Sequence, residues 1–217
     1  GDAALRDSSD NLDENYLRLR AAVGLVERRR CWVHQVPGAP VCAIRPGDPF
    51  ENGIQADALV TDDPAQLLSV KYADCVPILL ASADGRAVAA VHAGWRGLVA
   101  GVIRAAVARL EQIAAAPAST FVAAIGPCIG IDHFEVGPEV VEAFKHRMGN
   151  DAPLQAGRSG KAHVDLKRAT HYELRHAGLL AGNIDTTDLC TYANPDQFYS
   201  HRRDGAATGR MAAIISP

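Results

Sequence analysis

Two apolar segments joined by Asp84-Gly85 limit the possible folds of this chain more than any other feature. One segment covers residues 72–80 and the other covers residues 89–97. Asp-Gly between apolar runs is the strongest short-range signal of a β-hairpin, because glycine readily adopts the positive φ of a tight hairpin turn. A two-residue turn at Asp84-Gly85 pairs Ala83 with Arg86 and thereby sets the register of both strands.

This register brings together two residues that carry chemistry. Cys75 lies opposite Gly94, and His92 lies on the same face as Cys75. The two are then diagonal cross-strand neighbours, about 7–8 Å apart between their backbones. At that distance a thiolate and an imidazole can share a metal ion or a proton. The simpler alternatives are an inert buried cysteine and a histidine that only satisfies a strand end.

Composition excludes several classes of protein. With 217 residues, 48% of them hydrophobic, the chain can bury a full core. A net charge of −3 and a pI near 6.2 argue against a nucleic-acid partner. No apolar run approaches the roughly 18 residues of a membrane span, and the polar N-terminus lacks the core of a secretory signal. Five cysteines without a C-x-x-C pair suit a reducing compartment. We expect a cytoplasmic protein, without nucleic-acid or membrane partners, that forms one domain over residues 1–217 with residues 1–10 poorly ordered.

Local patterns predict a layered domain. Apolar residues recur at helical spacing from Leu98 to Ile113, which predicts one amphipathic helix that begins near Trp95. Cys31–Val36 reads as a strand, with Val41–Ile44 as its candidate partner. Further helices are expected at residues 11–25, 138–148 and 165–177, and further strands at 58–61, 66–70, 121–125, 184–187, 197–200 and 209–215. Short strands with helices between them indicate an α/β (α+β) fold, a mixed sheet flanked by helices.

Two arginines are candidates for binding an anionic substrate. Arg96 stands in the first turn of the helix that begins directly after His92, where free backbone N–H groups attract anions. Arg203 belongs to a cationic cluster in residues 200–210. A surface salt bridge at Arg96 and a solvated hairpin tip at residues 200–210 are the simpler interpretations.

Seven segments together resemble a known family. They are Ala56-Asp57-Ala58-Leu59-Val60-Thr61, Ala73-Asp74-Cys75-Val76-Pro77, His92-Ala93-Gly94-Trp95-Arg96-Gly97, Ile125-Gly126-Pro127-Cys128-Ile129-Gly130, Glu135-Val136-Gly137, Cys190-Thr191, and Arg202-Arg203-Asp204-Gly205 with Thr208-Gly209-Arg210-Met211. The chain is similar to the laccase-domain family, also called multicopper polyphenol oxidases, bacterial purine nucleoside phosphorylases or peptidoglycan editing factors. The resemblance implies a layered α/β domain around a mixed sheet, likened to cysteine hydrolases.

The resemblance also implies a metal site, usually zinc, held by one Cys and two His. Cys75 and His92 match two of the three ligands. The second His of the family stands in Asn-Gln-Val-His-Gly, where this chain has His34-Gln35-Val36-Pro37-Gly38. Pro37 therefore occupies a ligand position, and His34 is the nearest substitute, although residues 34 and 37 of a regular strand face opposite sides. His133 is a more remote candidate.

The activity that the resemblance implies is purine nucleoside phosphorolysis, of inosine or adenosine with phosphate, together with adenosine deamination. Cys75 and His92 are the catalytic candidates, and Arg96 and Arg203 are the substrate-binding candidates. One alternative is a copper-dependent polyphenol oxidase. Another is a family member that has lost its metal, in which Cys75 and His92 act as nucleophile and base or only pack. The sequence leaves the oligomeric state open.

Overall fold

The structure is a computed structural model that describes residues 7–158 and 160–217. Within these described residues there are six α-helices, namely α1 (Ser9–Ala22), α2 (Trp95–Ala100), α3 (Val102–Ala114), α4 (Pro138–Met148), α5 (Leu166–His176) and α6 (His201–Asp204). The strands are β1 (Arg29–Trp32), β2 (His34–Gln35), β3 (Val41–Ile44), β4 (Gln55–Ala56), β5 (Ala58–Thr61), β6 (Gln66–Tyr72), β7 (Val76–Ala81), β8 (Val88–Ala93), β9 (Val122–Ile125), β10 (Glu135–Val136), β11 (Leu154–Ala156), β12 (Ala162–Val164), β13 (Ile184–Thr186) and β14 (Met211–Ile215).

The main sheet has six strands in the order β13-β9-β7-β8-β5-β3. The four central strands pair antiparallel, whereas β13 and β3 join the two edges in parallel. A second sheet has the order β1-β6-β14, with β1 parallel and β14 antiparallel to β6. There are also two smaller sheets, β10-β12-β11 and β2-β4, and an isolated parallel bridge joins Cys128 and Cys190. The sequence-based prediction of a mixed α/β fold is confirmed.

Strands β5, β7 and β8 of the main sheet are largely buried on both faces, and their residues alternate between two hydrophobic clusters, whereas β9 exposes Val122 on one face. On β8, Ala89 and Val91 belong to the cluster shared with α3, α4 and α5, whereas Val88 and Ala90 belong to the cluster shared with β1 and β6. Successive residues of a strand point to opposite faces, so this alternation places helices on one side and the three-stranded sheet on the other. The result is three layers, which explains why the central strands read as continuous apolar runs.

The hairpin of β7 and β8 has the predicted register with a different turn. Val76 pairs with Ala93, and Ala81 pairs with Val88. The predicted two-residue turn is wrong, because Ser82 N–H donates to Ala87 O at 2.9 Å and residues 83–86 form the connection. A serine hydroxyl that accepts from Ala87 N–H stabilises this wider turn. A two-residue and a four-residue connection give the same pairing, which is why the register survives.

Three other predictions of local structure need correction. The predicted helix over residues 95–113 is divided at Gly101, whose φ of +89° ends α2 and begins α3. Val41–Ile44 does not pair with Cys31–Val36; it pairs in parallel with β5 in the main sheet. No strand covers residues 197–200. Helix α1 begins at Ser9, inside the segment expected to be poorly ordered, and the first six residues of that segment lie outside the described residues.

A buried carboxylate joins the three long helices that cover the sheet. Glu173 on α5 is fully buried, and its two oxygens accept hydrogen bonds from Arg104 on α3 and Arg147 on α4 at 2.7–3.3 Å. The hydrogen bonds to Glu173 also raise the pKa of Arg147. Gly101 lets Arg147 approach, because a Cβ at that position would lie 2.9 Å from Arg147 Nη2.

In the described part of the chain, no helix is both long enough and apolar enough to span a bilayer.

Candidate functional site

The end of the β7–β8 hairpin brings Cys75 and His92 into contact. Pro77 pairs with His92, and Cys75 lies one residue beyond the last ladder pair, next to Gly94. A Cβ added at Gly94 would lie 3.1 Å from Cys75 Sγ and 3.9 Å from His92 Cε1. A side chain at position 94 would therefore crowd the thiol, and glycine leaves it room beside the imidazole. The structure places Cys75 and His92 together, as the hairpin register predicts.

His92 is held from behind by a buried carboxylate. Asp57 has a fully buried side chain, and its Oδ1 lies 2.9 Å from His92 Nδ1. Because a carboxylate accepts, Nδ1 carries the proton that binds Asp57, and Nε2 is the remaining ring nitrogen. Burial lowers the pKa of His92, but the hydrogen bond to Asp57 and the neighbouring Cys75 thiol outweigh it and raise the pKa to about 9. Carboxylate, imidazole and thiol form a chain that suits either a nucleophile with its base or a metal-binding histidine with its orienting partner.

The backbone just before Cys75 is held in an unusual conformation. Asp74 has a φ of +82°, which is uncommon for any residue other than glycine. Its carboxylate accepts from Thr191 Oγ1 and from Arg202 N–H, both at 2.6 Å, and its carbonyl accepts from Ile129 N–H at 3.0 Å. These three bonds fasten separate segments of the chain around the thiol. Asp74 therefore positions Cys75 without contacting the cavity itself.

A cavity of about 360 Å³ opens in front of this pair. Its volume lies within the roughly 300–1,000 Å³ typical of small-molecule sites. Eleven residues form its wall: Trp32, Val33, His34, Gln35, Lys71, Tyr72, Ala73, Cys75, His92, His201 and Arg210. His201 donates through Nδ1 to Gly205 O at 3.0 Å, so Nε2 is the ring nitrogen that does not take part in this bond. The wall thus combines aromatic surface, three imidazoles, one thiol and the cationic side chains of a lysine and an arginine.

The donors for a metal ion are partly assembled. Cys75 and His92 fit such a role, and Asp57 stands where a carboxylate usually orients a metal-bound imidazole. His34 lines the same cavity, on an exposed position of β2. Across residues 7–158 and 160–217, however, no three His, Cys, Asp or Glu side chains are grouped so that they could hold a metal. The two donors alone do not make the three-ligand site that catalytic zinc requires.

Pro37 lies close to this incomplete site. The next residue, Gly38, donates its N–H to Asp57 Oδ2 at 3.3 Å, and Asp57 in turn contacts His92. An imidazole in place of Pro37 would therefore start from a backbone position beside the Cys75–His92 pair. His133, the remote candidate, stacks on Tyr192 with ring centroids 4.3 Å apart and is not part of the cavity wall.

The two arginines selected from the sequence have different surroundings. Arg96 follows Gly94, the N-cap of α2, as expected, but it is exposed and its guanidinium stacks on Trp95, with Cζ 4.3 Å from the ring centroid. It is not among the cavity-lining residues. Arg203 is also outside the wall. Its N–H groups donate to the carbonyls of Thr191, Tyr192 and Phe198 and to Asp204. Arg210, from the same cluster, faces the cavity instead.

Comparison with known proteins identifies the family of this chain. A sequence model of the family described as "Multi-copper polyphenol oxidoreductase laccase" matches residues 2–217. The chain belongs to this laccase-domain family. The crystal structure of YlmD from Geobacillus stearothermophilus superposes on the chain with a TM-score of 0.90, at 29% identity over 99% of this chain and 83% of YlmD.

Three curated relatives carry enzyme names. "Purine nucleoside phosphorylase YfiH" of Shigella flexneri is 40% identical over 212 residues, 96% of this chain and 82% of the relative. "Purine nucleoside phosphorylase" of Bacteroides thetaiotaomicron is 40% identical over 162 residues, 73% of this chain and 60% of the relative. "Adenosine deaminase RL5", of unknown prokaryotic origin, is 42% identical over 156 residues, 71% of this chain and 59% of the relative. The alignments with the last two thus span about three fifths of those proteins. The copper oxidase alternative rests on the family description alone.

Sequence reasoning did not select several residues that build the laccase-domain site. Asp57 was recognisable as one acid inside the apolar run Ala56 to Val60, where an unpaired carboxylate would be costly. Lys71 gave no signal, and Arg210 gave only its place in the cationic cluster of residues 200–210, because the proximity of the two depends on the pairing of β6 with β14. Asp74 could be noticed only through its place directly before Cys75.

Proposed function

We propose that this chain is a purine nucleoside phosphorylase that acts on inosine or adenosine in the cavity in front of Cys75 and His92. The observation that carries the proposal is the chain of Asp57, His92 and Cys75 at a cavity of about 360 Å³. Two relatives named as phosphorylases, one aligned over 96% of this chain, support the choice of reaction.

The reaction places defined demands on the cavity. An oxygen of hydrogen phosphate attacks C1′ of the ribose, and the bond from C1′ to the purine nitrogen breaks with its electron pair on the purine. The purine then takes up one proton, which balances the proton lost by hydrogen phosphate. The products are ribose 1-phosphate and the free base. Groups that hold the phosphate, carry the proton and enclose the purine are therefore needed within one cavity.

The residues of the cavity can meet these demands. His92, fixed by Asp57, is placed to pass a proton to the leaving purine, and Cys75 lies beside the same imidazole. General acid catalysis by such a group contributes about 10²–10⁴-fold to a rate. Trp32 and Tyr72 supply aromatic surface to the wall, where a purine ring can pack.

Zinc is the proposed metal, with copper as the alternative, and Cys75, His92 and His34 are its proposed ligands. When bound, such an ion would supply a Lewis acid beside the thiol, in place of the proton that His92 would donate in the metal-free protein. Only Cys75 and His92 contact each other, and His34 would need to approach them. We therefore expect zinc to be bound weakly and below one equivalent in the protein as it stands.

Replacing Pro37 by His should raise zinc occupancy and phosphorolysis together. Loss of an outer partner of a metal ligand already costs about 10–100-fold in affinity, so restoring a direct ligand should tighten zinc binding by at least about tenfold. Metal analysis of protein purified without added metal measures the occupancy. The variant His34→Ala should lower zinc content only if His34 serves as a ligand. A parent protein that carries one tightly bound zinc, unchanged by His34→Ala, would contradict the proposed ligand set.

Deamination of adenosine is the second candidate activity, because one relative is named an adenosine deaminase. Adenosine and water would give inosine and ammonia, a reaction that needs no phosphate. The two activities can share one cavity, since both act on a purine nucleoside.

Product analysis distinguishes these reactions. The protein should be incubated with inosine or adenosine, with and without orthophosphate and with and without added zinc, and the bases and nucleosides separated by chromatography. We expect release of hypoxanthine or adenine only when orthophosphate is present. Inosine formed from adenosine without orthophosphate would identify deamination. Release of base without orthophosphate would identify a hydrolase, and absence of all products in every condition would contradict the proposal.

A further inference from the structure

The cavity wall is cationic although the chain as a whole is acidic. The chain has 25 Asp and Glu residues against 22 Lys and Arg, yet none of the eleven wall residues is Asp or Glu. Two wall residues, Lys71 and Arg210, have cationic side chains. An unbalanced positive lining in a concave site concentrates anions.

Strand pairing places these two cations side by side. Lys71 on β6 is directly opposite Ala212 on β14, and Arg210 stands two residues before Ala212. Lys71 and Arg210 are therefore diagonal neighbours on one face of the second sheet, at the end next to Cys75. Trp32 of β1 shares this end, with Lys71 Nζ 5.7 Å from its ring centroid.

Hydrogen bonds fix the backbone of Lys71 and one end of the Arg210 guanidinium. The Gln35 side chain donates to Lys71 O at 2.7 Å and accepts from Lys71 N–H at 2.8 Å, which fixes the backbone of Lys71 beside the cavity. Arg210 Nη1 donates to the carbonyls of Thr208 and Gly209 at 2.8 and 2.9 Å. These bonds orient the guanidinium and leave its Nε and Nη2 for another acceptor.

Neither cation is neutralised by a carboxylate in the part of the chain that the structure describes. The ion pairs found there involve other cations. Partial burial, together with the charges of Arg30 and Arg210, lowers the pKa of Lys71, which is consistent with crowding of positive charge. A dianion between Lys71 and Arg210 would relieve this repulsion. A lysine ammonium and an arginine guanidinium are also the side chains that proteins most often use for phosphate.

We propose that Lys71 and Arg210 form the orthophosphate subsite of the cavity, in place of Arg96. This inference rests on the proposed phosphorolysis and names the residues that hold its anionic substrate. The nucleoside then lies between these cations and the Cys75–His92 pair, with its ribose next to the phosphate. Arg96, outside the wall and stacked on Trp95, takes no part in binding.

The variants Lys71→Gln and Arg210→Gln test the subsite, with the exposed residues Lys145→Gln and Arg109→Gln as matched controls. Each loss of a charge-assisted contact should raise KM for orthophosphate about 10–100-fold, while KM for inosine changes less than about threefold. The control variants should leave both constants unchanged. Calorimetric titration with orthophosphate alone should show the same loss of affinity, and circular dichroism checks that each variant is folded.

Calorimetry separates failure of this inference from failure of the proposed function. If the wild type binds orthophosphate and the two variants do not, the subsite stands even when no phosphorolysis is detected. Equal orthophosphate affinity in wild type, Lys71→Gln and Arg210→Gln would overturn it. So would loss of binding in Arg96→Gln alone, because that result would place the anion at the start of α2. A wild type that does not bind orthophosphate would overturn it as well.

Discussion

Replacing Glu173 by Ala should lower the free energy of unfolding by about 3 kcal/mol. Removing one partner from a buried ion pair typically costs about 3–5 kcal/mol, because the remaining charge is left without compensation. Here two arginines lose their shared carboxylate and face each other as like charges. The lower end of the range is expected because Arg104 and Arg147 keep 40% and 23% exposure, so water can partly replace Glu173. Urea denaturation of the folded protein measures the change.

Glu142→Ala is the matched control for this experiment. Glu142 also stands on a helix and pairs with a cation, Lys145, at 3.1 Å, but the side chains are 72% and 55% exposed. Surface pairs of this kind contribute at most about 1 kcal/mol. We therefore expect Glu142→Ala to unfold close to the wild type. If both substitutions lowered the free energy of unfolding by the same small amount, the packing of the three helices would not depend on Glu173.

Replacing His92 by Asn should lower kcat/KM for phosphorolysis by about 10²–10⁴-fold. Asn is polar and can still reach toward Asp57, but it cannot take up and release a proton near neutral pH. The expected loss is that of a general acid, the role that contact with Cys75 and the bond to Asp57 favour for His92. Steady-state rates with inosine, at saturating orthophosphate, measure it.

His146→Asn serves as the control, because His146 is exposed on α4 and lies outside the cavity wall. That variant should keep the wild-type rate. Orthophosphate affinity, measured by calorimetry, should be retained in His92→Asn, since the proposed phosphate contacts come from Lys71 and Arg210. Activity of a folded His92→Asn variant within threefold of wild type would contradict a catalytic role for His92.

The part of the site that the sequence predicts well is local. The contact of Cys75 with His92 follows from one turn at Asp84-Gly85 and from the alternation of side chains along two strands. Even the error in turn length leaves the pairing intact, because the closing pair Ser82–Ala87 belongs to the same register. Short-range pairing of this kind depends on few residues, so pattern analysis can find it.

The break between α2 and α3 shows where periodicity misleads. Apolar residues continue at helical spacing on both sides of Gly101, and one residue with positive φ is enough to end the first helix. A glycine inside a helical pattern is often tolerated. Here the approach of Arg147 to Gly101 favours the interruption, and that approach depends on the packing of α4.

Contacts between distant segments were beyond prediction. Parallel pairing of β3 with β5 and of β1 with β6 leaves no turn signal in the sequence, so neither partner could be identified. The proximity of Lys71 to Arg210 likewise requires that β14 return to β6 from the far end of the chain. Arg203 and Arg210 belong to one cationic cluster in the sequence. Without the pairing of β14 with β6, the sequence does not indicate that Arg210, rather than Arg203, faces the cavity.

A comparison of Cys75→Ser with Cys42→Ser tests most directly whether phosphorolysis takes place at the β7–β8 hairpin. Both residues are half-buried free cysteines, but Cys42 lies on β3, outside the cavity wall. We expect orthophosphate-dependent release of hypoxanthine from inosine to fall at least about 100-fold in Cys75→Ser. Cys42→Ser should release hypoxanthine at the wild-type rate. Release at the wild-type rate by folded Cys75→Ser would contradict the assignment of the active site to this cavity.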